Sequence, residues 1–118
     1  MQQIRQAIVT IPANTTLSTA SPDIKNEQLV GVILPAGWDA AALTFQASIN
    51  GATWGNVFTA SGELSFPTAD VAAGNVLAFD THVTPAIRFV QVRSGVTATP
   101  VNQTADRVIT LLTRDLVE

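Results

Sequence analysis

Between Ala42 and Phe58 the chain reads ALTFQASINGATWGNVF. Leu43, Phe45, Ala47 and Ile49 alternate there with Thr44, Gln46, Ser48 and Asn50. Successive side chains of an extended strand leave on opposite faces, so this period of two makes one face apolar and the other polar. The stretch predicts a half-buried β-strand. Asn50-Gly51 then supplies two residues that tolerate positive φ, as a tight turn between antiparallel strands requires. Val57 and Phe58 resume the apolar pattern after Trp54-Gly55. A later stretch, Ile87 to Ser94 (IRFVQVRS), is the expected pairing partner.

The rest of the chain offers more strands of the same kind. Ile4 to Ile11 alternates loosely and ends at Pro12, which has no amide to donate to a ladder. Ala13 to Gln28 is rich in Thr, Ser, Asn and Pro, with a short strand near Leu17 to Ala20 and turn chemistry at Ser21-Pro22-Asp23. It is expected to be a surface meander for most of its length, or else an arm ordered against a neighbouring subunit. Leu29 to Leu34 is a continuous apolar run of the type buried on both faces. Asp39 to Ala42 fits one helical turn capped by Asp39, or a lead into the next strand. Further strands are predicted at Asn56 to Phe58, Glu63 to Phe66, Val76 to Phe79 and Arg107 to Arg114, the last closed by a β-branched run. About eight strands with frequent turn signals and no amphipathic helix predict an all-β fold, an antiparallel β-sandwich or jelly roll. Residues 1–118 are expected to form one domain, with 1–28 as its N-terminal strand and arm. Its core is expected from Leu43, Phe45, Ile49, Val90, Val92, Leu111 and Leu112.

Charge narrows the possible partners. Only 13% of residues are charged, against about 25% in an average globular chain, so little charge is available to cover the surface. Uncharged or apolar surface of that kind often meets another protein. The net charge is −3, and the six basic residues, Arg5, Lys25, Arg88, Arg93, Arg107 and Arg114, form no stripe. Nucleic acid is therefore not an expected partner. No window approaches the ~18 consecutive apolar residues of a membrane helix, and the N-terminal MQQIRQAIVT lacks a signal-peptide core, so a soluble protein made in a cytoplasm is expected. The chain has no cysteine, which removes disulfides and thiol chemistry.

No catalytic constellation stands out. His82 is the single histidine, beside Thr81 and Thr84, and a nucleophilic triad or a zinc site needs more than that. The nine carboxylates, Asp23, Glu27, Asp39, Glu63, Asp70, Asp80, Asp106, Asp115 and Glu118, are dispersed. Two of them converging as a glycosidase pair is the weakest of the readings. No catalytic, cofactor-binding or metal-binding residue and no cofactor is assigned. Trp38 and Trp54 are either sugar-stacking platforms or lids on the apolar core, and burial of a large flat ring favours lids. The segment Gly95 to Asp106 (GVTATPVNQTAD) is long for a hairpin connection. Its uncharged polar side chains, Thr97, Thr99, Asn102, Gln103 and Thr104, are the candidate interface. The alternative is a loop folded back on its own sandwich with Val101 plugging an end of the core.

ALTFQASINGATWGNVF together with IRFVQVRSG resembles galactose-binding-like, discoidin-type jelly rolls. The set LVGVILPAGWDAAALTFQAS, ALTFQASINGATW and IRFVQVRSGVTATPVNQTADRVITLLTR, spanning residues 29 to 114, is similar to small structural proteins of tailed bacteriophages and prophages. These motifs carry fold information and no active-site residues. The resemblance implies a non-enzymatic capsid decoration (cement) protein on the virion exterior, made in the host cytoplasm. Its implied partners are the major capsid protein and sister copies in a homotrimer. A phage tail or baseplate component and a carbohydrate-binding module are the alternatives, and no residue of a glycan site carries over.

Overall fold

A computed structural model describes residues 4–19, 22–24, 27–72, 74–79 and 88–115. The six longer strands are β1 (Ile4–Ile11), β2 (Glu27–Ile33), β3 (Leu43–Ser48), β8 (Val76–Ala78), β9 (Phe89–Val96) and β11 (Arg107–Asp115). Five two-residue strands lie between them: β4 (Gly55–Asn56), β5 (Phe58–Thr59), β6 (Gly62–Glu63), β7 (Ser65–Phe66) and β10 (Thr99–Pro100). The expected strands at Asn56 to Phe58 and Glu63 to Phe66 are thus each divided in two. One large sheet has the order β1-β11-β2-β8, the other β10-β9-β3-β4 with β7 also on β3, and β5 and β6 form a separate two-stranded hairpin. Every pairing is antiparallel. The fold is an all-β antiparallel sandwich, as the alternation predicts.

The core lies between the two sheets. β1, β11, β2 and β8 contribute Val9, Ile11, Ile109, Leu111, Leu29, Val32 and Leu77, while β3 and β9 contribute Leu43, Phe45, Val90 and Val92. Phe45 anchors an aromatic trio, with ring centroids 5.1 Å from Phe79 and 6.3 Å from Phe66. The expected partnership of β3 with the late strand is present, running from Leu43 opposite Ser94 to Ser48 opposite Phe89.

Two expected core residues lie elsewhere. β3 ends at Ser48, so Ile49 sits in the following bend and is 78% exposed. Leu112 follows Leu111 on a strand, and adjacent side chains leave on opposite faces, so only Leu111 enters the core. In β2 a register shift opposite Leu112 and Thr113 lets Leu29 and Val32, three residues apart, both enter the core, while Ile33 on the outer face is only half-buried.

The connection after β3 is longer than a two-residue hairpin, since Ala47 pairs with Gly55. Gly51 does take positive φ, at 77°. Asn50 acts through its side chain: Oδ1 accepts the amides of Ala52 at 2.8 Å and Thr53 at 2.9 Å. The described residues between Pro12 and Ile24 lie along the chain's own β9. Ser18 N donates to Val92 O, Ile24 N donates to Arg88 O, and Ile24 is buried. Leu17 forms only an isolated bridge to Arg93, where a short strand is predicted. These described residues pack on the chain's own sandwich. Ala20, Ser21, the loop 80–85 with Thr81, His82 and Thr84, and Ile87 lie outside the described residues.

Candidate interface

The segment from Gly95 to Asp106 begins inside β9. The strand runs on to Val96, turns at Thr97-Ala98 and returns as β10, with Thr99 opposite Val96 and Pro100 opposite Gly95. Gly95 is required there on two counts. Its φ is +89°, and a Cβ would stand 2.7 Å from Thr99 O and from Val101 N, both main-chain atoms that cannot move aside. Gly95 O also accepts the Thr44 hydroxyl at 2.7 Å, which satisfies a side chain buried on β3.

Beyond β10 the chain turns inward at Gln103, whose side chain is wholly buried. Its Oε1 accepts from Asp39 N at 2.9 Å and Arg107 Nε at 3.1 Å, and its Nε2 donates to Asp39 O at 3.1 Å and Ser94 Oγ at 2.8 Å. An amide side chain offers two acceptor and two donor sites, and all are used. The main chain of Gln103 bonds as well, donating to Thr15 O and accepting from Asn14 N. One residue thereby ties the loops at 14–15 and 39 to the ends of β9 and β11. The Asp39 carboxylate accepts from Thr104 N at 2.6 Å and faces Arg107 at 3.4 Å. Those bonds, that of the Thr104 amide first, hold its pKa below the ordinary 3.8. Asp39 therefore caps no helical turn: it accepts an amide of a distant loop, and residues 39–42 lead into β3.

Thr97 belongs to a second polar cluster. Arg93, buried on β9, donates to Thr97 Oγ1 at 2.7 Å and Asn56 Oδ1 at 2.6 Å and pairs with Glu63 at 3.4 Å. Thr97 itself donates to Glu63 through its hydroxyl and, at 3.2 Å, through its amide. The cluster fastens the β9–β10 turn to the β6 hairpin.

Of the five candidate residues, Gln103 is therefore an internal anchor, unavailable at the surface of the folded subunit. It corrects the expectation for that residue: a fully satisfied amide is cheap to bury, so polarity alone did not place it outside. Thr97 and Thr104 are exposed but bonded within the subunit, and Thr99 and Asn102 are exposed. The loop is folded back on its own sandwich. Its anchor is Gln103, whereas Val101 is only half-buried. Trp38 packs against the core and its Nε1 donates to Ala41 O at 3.3 Å, which makes it a lid; Trp54 is half-buried.

A second uncharged surface, distinct from the loop, lies on the outside of the four-stranded sheet. Ile4, Ile8, Val76 and Val108 there are 63%, 60%, 61% and 50% exposed. The register sets Ile8, Thr110, Ile33 and Val76 in one row across the sheet, and Gln6, Leu112, Gly31 and Ala78 in the next. Neither row contains a charge. The sequence does carry the signal: in Ile4 to Ile11 and Arg107 to Arg114 both parities are apolar, so one apolar set must remain outside a two-layer sandwich. Among the described residues there is no enclosed pocket and no group of three or more side chains able to hold a metal ion. Neither a scan against protein-family models nor a search of the curated proteins finds a match to this chain.

Proposed function

We propose that this chain is a non-enzymatic virion structural protein of a tailed bacteriophage, a decoration protein that binds the major capsid protein on the capsid exterior as an oligomer. The observation that carries the reading is the apolar outer face of the four-stranded sheet, where Ile4, Ile8, Val76 and Val108 are exposed around half-buried Ile33 and Leu112, with Arg114 opposite Ile4 at its margin. A contiguous apolar sheet surface is a feature of protein-binding faces. The resemblance of residues 29 to 114 to phage structural proteins supplies the setting. Quantifying this chain against the major capsid protein in purified virions by gel densitometry tests the proposal. A copy number that scales with the capsid lattice supports decoration. A handful of copies would transfer the chain to the tail or baseplate, and its absence from the particle would end the virion reading. Binding on a glycan array without virion incorporation would favour the carbohydrate-binding alternative.

A further inference from the structure

The sequence contains a single Asn-Gly step, Asn50-Gly51, and it stands in the bend that follows β3. At such a step the amide nitrogen of the second residue can attack the side-chain carbonyl carbon of the first and close a succinimide ring. Glycine leaves that nitrogen unshielded, because it has no side chain.

The hydrogen bonds of this bend run in the directions that ring closure needs. Gly51 N, the nucleophile, donates to Ser48 Oγ at 2.9 Å. Ser48 Oγ in turn donates at 3.0 Å to Asn50 Oδ1, the oxygen on the carbon to be attacked. The amides of Ala52 and Thr53 donate to the same oxygen at 2.8 and 2.9 Å. A hydroxyl has one donor and two acceptor sites. Ser48 uses all of them, since it also accepts Asn50 N at 3.2 Å. Ser48 is buried, so its hydroxyl serves this turn and not bulk water. Asn50 and Gly51 are exposed, which admits water and lets a small product leave. An Asn side chain bonded to the amides ahead of it folds back over its own following peptide. Electrophile and nucleophile are then held in one turn, and orientation of that kind lowers the barrier of an intramolecular step.

We infer that Asn50 is a self-modification site, at which the fold promotes deamidation with Ser48 as the proton relay. Gly51 N bonds to Asn50 Cγ and gives its proton to Ser48 Oγ, while Ser48 passes its own proton to Oδ1. Charge that develops on Oδ1 is met by the Ala52 and Thr53 amides, as in an oxyanion hole. The bond from Cγ to Nδ2 then breaks. The proton on Oδ1 goes to the departing amino group, which leaves as ammonia, and the carbonyl re-forms. Water is the one co-reactant and opens the ring. Its attack at the side-chain carbonyl gives aspartate, and at the main-chain carbonyl isoaspartate. An aspartate keeps the acceptor for the two amides, so the bend survives with an added negative charge. An isoaspartate inserts a methylene into the main chain between β3 and β4. The site is independent of the capsid reading.

Mass spectrometry of the full chain, incubated folded in neutral buffer and unfolded in urea, tests the inference. The readout is the mass gain of exchanging an amide nitrogen for an acid oxygen, located by peptide mapping. Asn50 should react faster in the folded chain than in the unfolded one. Ser48→Ala should slow the folded reaction about tenfold or more and leave the unfolded rate unchanged, since a positioned proton-transfer group contributes about 10²–10⁴-fold. Ser48→Thr keeps the hydroxyl and should restore the rate. Melting temperatures establish that each variant is folded, and the ratio of folded to unfolded rates in the natural chain decides even where Ser48→Ala does not fold. A folded chain that reacts more slowly than the unfolded one would overturn the inference, because the same bonds would then protect Asn50. So would a folded Ser48→Ala that reacts as fast as the natural chain.

Discussion

The segment from Val101 to Arg107 and the outer face of the four-stranded sheet are opposites. The first is rich in polar side chains, yet Gln103 is among the most deeply buried residues of the molecule. The second is dominated by Ile, Val, Leu, Thr, Ala and Gly, yet Ile4, Ile8, Val76 and Val108 meet solvent. The difference shows that polarity did not decide placement in either region. In the loop, hydrogen-bond supply decides: Asp39, Ser94 and Arg107 satisfy every site on the Gln103 amide, so burial leaves nothing unpaired. On the sheet, parity decides, because a two-layer sandwich has one inner face per sheet and the other apolar set is left outside.

The sharpest test of parity uses adjacent leucines. Leu111→Ala should cost about 2–5 kcal/mol in urea unfolding, because the side chain is fully buried between the sheets. Leu112→Ala, one residue on and half-buried on the outer face, should cost distinctly less. Equal losses would mean that both faces of β11 are covered within the subunit, and the contrast between the regions would fail.

The loop side of the comparison is tested by separating two neighbouring polar residues. Gln103→Ala removes four side-chain hydrogen bonds. It strands the buried Ser94 hydroxyl and the part-buried Asp39 and Arg107 groups, each orphaned group costing about 1–3 kcal/mol where water cannot reach it. A midpoint shift of that size is expected from Gln103→Ala. Asn102→Ala, at an exposed neighbour, should change stability by less than about 0.5 kcal/mol. If the two variants behave alike, Gln103 does not hold the loop.

Acid should loosen the same region. Asp39 has its folded pKa lowered by the Thr104 amide and, further, by Arg107. A lowered folded pKa favours the folded state while the carboxylate is charged in both states. That contribution is complete above the ordinary 3.8 and fades as the pH falls through the depressed value. The stability difference between the natural chain and Asp39→Asn should therefore be largest near neutrality and shrink below pH 3.8. A difference that grows on acidification has the wrong sign for this account.

How much of this was legible in the sequence differs between the two regions for physical reasons. Period-two alternation in Ala42 to Asn50 carried the sandwich and the β3–β9 pairing, because strand parity is a local property of the chain. The exposed sheet face was also present locally, in the doubly apolar Ile4 to Ile11, but a strand with two apolar faces looks like a central, covered one. Gln103 was not legible in its role. Its partners at 39, 94 and 107 come together only through the fold, and a polar residue in a Thr-rich loop has no local mark that separates a buried hub from a solvated side chain. Gly95 had such a mark only in being glycine. That Thr99 and Val101 crowd it depends on the hairpin turning at Thr97-Ala98.

The smallest expected effect bears on the outer face. Ile8→Thr exchanges one β-branched side chain for another, so strand preference is nearly kept while an apolar group is replaced by a hydroxyl. In a core that exchange would cost both the transfer energy of the lost ethyl group and the burial of an unpaired hydroxyl. Ile8 is 60% exposed, and Thr110 opposite it on β11 already shows that a hydroxyl is accommodated in this row. The urea midpoint, read at a concentration where the chain is monomeric, should therefore move by less than about 0.5 kcal/mol equivalent. A loss above about 1 kcal/mol in the dilute monomer would instead place Ile8 in contact with its own subunit, and the face described here as open would be closed.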